Sequence, residues 1–199
     1  MSGFLRDNPV VLLIGVAEVA FWVFLVAGLA ARYLLRLRRV STALLLCVPL
    51  VDVVLVVACL ADVATGAEPG PVHGLAALYL GFTVAFGHTM VRWADVRFAH
   101  RFAGGPPPEP KPRGGLARTR REWRDFARMV LAWVLAVAAT AGIALVAGGP
   151  FPAPARWLGD PLWTWPARAT VVAAVWFATG PLWATLAPGR DDREHAGVR

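Results

Sequence analysis

The chain has 199 residues, of which 57% are hydrophobic and nine are Trp, and it carries a formal net charge of +7 with a mean hydropathy of +0.56. That much apolar surface exceeds what one small water-soluble core can bury, which excludes an ordinary soluble domain and makes lipid the expected solvent. The positive balance does not argue for a nucleic-acid partner, because the basic residues cluster by position along the chain in a pattern that reads as membrane topology.

Five segments approach the roughly 20 residues needed to cross a bilayer core: 9–31, 40–62, 73–93, 129–148 and 168–187. The expected fold class is therefore all-α, a polytopic membrane bundle of five helices. A short tail, 1–8, precedes the first apolar run. That run is longer than the apolar part of a signal peptide and lacks a small-residue cleavage pattern, so it reads as a retained helix. Seventeen of the twenty Lys and Arg fall in the segment from Arg32 to Arg39, the segment from Arg92 to Arg128 and the tail 188–199, leaving Arg6, Arg156 and Arg168 on the other side. The positive-inside rule then places the N-terminus outside and the C-terminus in the cytoplasm.

Pro9 opens the first helix, and RYLLRLRR closes it with a turn so short that helices one and two should be antiparallel neighbours. Glu18 on the first helix and Asp52 on the second each lie about 15 Å from the outer edge at 1.5 Å per residue, near the membrane midplane. Acids at that depth are costly, and they serve either as a proton- or cation-binding site or as hydrogen-bonding glue between helices. Pro49, one turn before Asp52, withholds an amide from the Leu45 carbonyl, so a kink is expected on the Asp52 side. Cys47 and Cys59 lie about 18 Å apart along the same helix, too far for a disulfide.

On the third helix Gly74, Ala77, Leu78, Gly81, Ala85, His88, Arg92 and Asp95 fall within about 60° of one line. Small residues in such a stripe allow a neighbouring helix to approach closely, so His88, Arg92 and Asp95 should face the bundle interior, with Arg92 and Asp95 spaced to pair as an interfacial anchor or cytoplasmic gate. Helical character persists to about Phe102, where GGPPPEPKPRGG, 104–115, interrupts it. The following run LARTRREWRDFARM puts Leu116, Trp123, Phe126, Ala127 and Val130 on one face and Arg118, Arg121, Arg124 and Arg128 on the other. The expectation is a basic cytoplasmic hairpin, 94–128, whose apolar face packs on the third helix or whose arginines contact anionic inner-leaflet lipids. The outer loop, 149–167, carries Trp157, Trp163 and Trp165, which read as an interfacial aromatic belt.

Enzyme chemistries fail on inventory. His73 and His88 are about 22 Å apart along one helix, and the two remaining histidines cannot complete two axial haem pairs. There is no HExxH, no Cys/His cluster, no phosphate-binding Gly loop and no GxSxG. No catalytic residue, metal site or cofactor is expected, and no internal repeat suggests an inverted-repeat transporter.

The stretches EVAFWVFLVAGLAARYLLR from Glu18, PLVD from Pro49, HGLAALYLG from His73 and FGHTMVRWADVRFAHRFAGGPPP from Phe86 resemble a family of small integral membrane proteins of Gram-positive bacteria, the YmcC-like proteins. The resemblance implies a multi-pass protein of the bacterial cytoplasmic membrane and carries no functional residue across. The residues themselves lead to a small transport or ion-coupling protein in which Glu18 and Asp52 bind a proton or cation while His88, Arg92 and Asp95 line the cytoplasmic exit. The alternative is a non-transporting scaffold or accessory subunit that docks on a membrane protein partner, or on a second copy of itself, through the basic hairpin.

Overall fold

The computed structural model describes residues 9–33, 35, 37–102, 104–109 and 114–186. Helix α1 spans Pro9–Tyr33, α2 Arg38–Ala64, α3 Pro71–Phe102 and α4 Gly115–Val146. A short 3-10 turn, Pro154–Gly159, leads to α5, Thr164–Phe177, which continues through a π-helical turn, Ala178–Leu182, into a last turn, α6, Trp183–Leu186. Among the described residues there is no strand, and five helical stretches are long and apolar enough to cross a membrane. The expected tails, 1–8 and 188–199, lie outside the described residues.

Helices α3 and α4 have 32 residues each, about 48 Å at 1.5 Å per residue against a hydrocarbon core of about 30 Å. The residues of the expected hairpin, 94–102 and 115–128, are direct continuations of membrane helices, as the helical pattern to Phe102 suggested. Helix α3 ends where Gly104 takes a left-handed φ of 63° and the Gly105 amide donates to the Ala99 carbonyl at 3.0 Å, a closure a Cβ at 104 would strain. Helices α1 and α2 are joined by the turn at Leu37, whose amide donates to the Ala31 carbonyl at 2.8 Å. Successive helices are neighbours throughout, and α3 also meets α1 and the α5 segment.

The α3–α4 pairing forms, but not through the face the sequence suggested. Leu116 is 67% exposed and Trp123 46%, while α4 turns Met129, Ala132, Ala136, Thr140 and Ile143 inward. Opposite them, Gly81 lies so close to the Ala132 carbonyl that a Cβ there would overlap it. Within the span, small residues that let the backbones approach decide the interface.

Trp123 instead meets the end of the last span. Its Nε1 donates to Thr185 Oγ1 at 3.1 Å, its ring makes an edge contact with Phe177, and Thr119 donates to the Ala184 carbonyl at 3.0 Å. The π turn contains Pro181, which has no amide to donate to the preceding turn. At the opposite end, Trp163 is 4% exposed and stacks on Trp157 with ring centroids 4.8 Å apart. Asp160 accepts the amides of Leu162 and Trp163 at 3.0 and 3.1 Å, and Gly74 touches the Leu162 carbonyl. Trp163 is thus part of the core rather than of a lipid-facing belt.

Candidate functional site

The buried line of α2 runs Val48, Asp52, Leu55, Cys59, Val63. The spacing of three and four residues is that of a packed helix face, and one position on it is an acid. Asp52 lies one residue past the centre of the 27-residue helix, is 7% exposed, and has an Oδ2 with no hydrogen-bond partner. Leu45, whose carbonyl Pro49 leaves unbonded, sits against Gly28 of α1. Helix α2 continues through Pro49 without interruption.

Asp52 borders a cavity of about 400 Å³ between α1, α2 and α3, walled by Phe21 and Trp22, by Leu55, and by Tyr79, Phe82 and Thr83. Thr83 supplies a hydroxyl beside the carboxyl. The side chain of Glu18 lies outside the described residues. Its position on α1 falls between cavity-lining Leu25, about 20° to one side, and Trp22, about 40° to the other, at 100° per residue.

Each end of this helix trio is tied by a polar clamp. At the Trp-rich end, His73 is buried; its Nδ1 accepts the Gly70 amide at 3.2 Å, which leaves Nε2 to carry the proton and donate to Asp62 Oδ2 at 3.2 Å. This joins the last turn of α2 to the first turn of α3. At the basic end, the Tyr33 hydroxyl donates to Asp95 Oδ1 at 2.6 Å and Arg32 Nε stands 3.3 Å from the same oxygen. Tyr33 also stacks on Phe98, with centroids 6.1 Å apart. This joins α1 to α3.

The trio His88, Arg92 and Asp95 is therefore not one interior group. Asp95 pairs across helices with α1 rather than along α3 with Arg92, and both His88 and Arg92 are exposed. The packed side of α3 shifts from the Gly74–Gly81 line, which meets α4 and the outer loop, toward Asp95 and Phe98, which meet α1. On the basic run, Arg118 is half-buried and Arg124 exposed. Arg128 Nη1 and Arg121 Nε reach Asp125 at 2.7 and 3.6 Å, so part of this charge is answered within α4.

Sequence reasoning found Asp52 but missed both clamps. The available signal for the His73 clamp was an acid and a histidine eleven residues apart across the Gly/Pro turn. Among the described residues, no group of three or more His, Cys, Asp or Glu stands together as a metal site.

No family model matches the chain, and no solved structure does. Over 136 residues, 68% of this chain and 73% of the relative, it is 32% identical to the uncharacterised membrane protein YmcC of Bacillus subtilis (strain 168). With five candidate membrane-spanning helices beside that likeness, this is a multi-pass bacterial membrane protein, and the chain belongs to the YmcC family.

Proposed function

We propose that the protein is a small ion-coupled transporter in which Asp52 takes a proton or another cation near the membrane midplane. The observation that supports this reading is the unpartnered Asp52 Oδ2, buried at the wall of a cavity and lying between two clamps. A carboxyl retained as interhelical glue would spend both oxygens on neighbouring helices, whereas an ion site needs one to spare. In this reading Glu18 supplies a second carboxyl position on α1. Asp62 with His73 closes the outer end, and Asp95 with Arg32 and Tyr33 closes the inner end. The test is flux of protons, Na⁺ and K⁺ in proteoliposomes of the full chain. We expect flux under at least one gradient and its loss in Asp52→Asn; absence of flux from the native chain under every gradient overturns the reading.

A second reading draws on the exposed Leu116 and Trp123 beside Arg124. It is that of an accessory subunit whose basic hairpin docks on a membrane partner, with Arg118 and Arg124 against anionic headgroups. It fails if deleting residues 104–115 leaves every co-purifying protein and the lipid dependence unchanged.

A further inference from the structure

The cavity at Asp52 has a chemical character beyond its charge. Phe21 and Trp22 of α1 and Tyr79 and Phe82 of α3 offer aromatic surface around a space of about 400 Å³, within the roughly 300–1,000 Å³ range of small-molecule sites. Trp22, Tyr79 and Phe82 are each between 37% and 57% exposed, so the cavity meets the lipid on their side. Asp52 borders this space, and its Oδ2 is buried without a hydrogen-bond partner in the protein.

A small inorganic cation is poorly served there. A dehydrated Na⁺, Mg²⁺ or Ca²⁺ requires several converging oxygens, and beside the Glu18 position on α1 the described wall offers the Asp52 carboxyl and the Thr83 and Tyr79 hydroxyls among apolar groups. A bulky organic cation has the opposite needs. Its charge is spread and weakly hydrated, aromatic faces attract it, and one carboxylate balances it. Such a molecule also partitions into lipid and so reaches a cavity that opens sideways.

We propose that the cavity between α1, α2 and α3 binds a lipophilic organic monocation, an aromatic amine or quaternary onium, with Asp52 as its counter-charge and Phe21, Trp22, Tyr79 and Phe82 as its walls. The inference rests on the reading of Asp52 as the cation site and adds the class of cation. It stands or falls on binding, independently of flux.

The experiment is equilibrium binding of tetraphenylphosphonium to the full chain in lipid nanodiscs, with tetraphenylborate as a probe of the same shape and opposite charge. The native chain binds tetraphenylphosphonium saturably with one site per protein, and tetraphenylborate shows no saturable site. Asp52→Asn weakens binding by about 30-fold or more, the loss typical of removing one partner of a buried charge pair, while circular dichroism reports an unchanged fold. Phe82→Ala, which leaves the carboxyl in place, weakens it by about threefold to tenfold through the lost ring. Equal binding of both probes, or full binding by Asp52→Asn, overturns the proposal and leaves an apolar groove that holds lipid acyl chains. Asp52-dependent proton or Na⁺ flux without tetraphenylphosphonium binding overturns it while sparing the transport reading. Binding as expected without any flux supports it and overturns the transport reading.

Discussion

Gly81 shows how much rests on one missing methyl group. Its Cα side faces the Ala132 carbonyl of α4 with no room for a Cβ, whereas Gly142, on α4 itself, has open space around it. Gly81→Ala must push the two backbones apart and should cost about 1–3 kcal/mol. Gly142→Ala meets nothing and should be neutral or gain up to about 1 kcal/mol of helix propensity. Thermal unfolding of the full chain in mild detergent separates them, and equal shifts would mean that the α3–α4 approach is looser than the geometry requires. Gly81 was legible in the sequence because its stripe is local to one helix, and Asp52 because an acid in an apolar run is conspicuous. The partners of Asp95 were not legible. Arg32 and Tyr33 come from another helix, and spacing along α3 favoured Arg92, which shares its turn.

At the scale of elements, starts and stops were easier to read than faces. The Gly104–Gly105 stop and the continuation of helix to Phe102 follow from local backbone chemistry. The face of α4 does not, because amphipathic patterning presumes water on one side, and within a bilayer the alanine line packs inward while larger side chains face lipid. The aromatic face of α4 has a different task, holding the last span: Trp123 hydrogen-bonds Thr185 and contacts Phe177. Trp123→Ala should therefore lower stability by about 1–3 kcal/mol through the lost bond and ring contacts. Arg124→Ala, one residue on and exposed, should stay within about 0.5 kcal/mol. The same detergent unfolding assay reads both, and a loss in Arg124→Ala as large as that in Trp123→Ala would show that charge, not the aromatic contact, secures this end.

For the whole molecule, hydropathy marks five spans and the short connections make successive helices neighbours. It does not reveal that α1 and α3 approach each other at one end while leaving a cavity nearer the middle, because that depends on pairings between residues far apart in the chain. Orientation bears directly on how the cavity works, since it decides which clamp meets which compartment. Seventeen of the twenty Lys and Arg fall in the segments joining α1 to α2 and α3 to α4, with their adjoining turns, and after the last span, and the positive-inside rule predicts that those segments are cytoplasmic. On that prediction the Asp62–His73 clamp faces outward and the Asp95 clamp inward. Single cysteines at exposed Glu68 and Glu109 test this against the native Cys47 and Cys59, which lie within a membrane span and are poorly accessible to a charged reagent. A membrane-impermeant maleimide should label Glu68→Cys in intact cells and Glu109→Cys only after permeabilisation. The reverse pattern would put the histidine clamp in the cytoplasm and exchange the roles of the two ends. Labelling of both in intact cells would mean that the chain inserts in two orientations, so that a cavity with unlike clamps at its two ends would be presented to each side in turn.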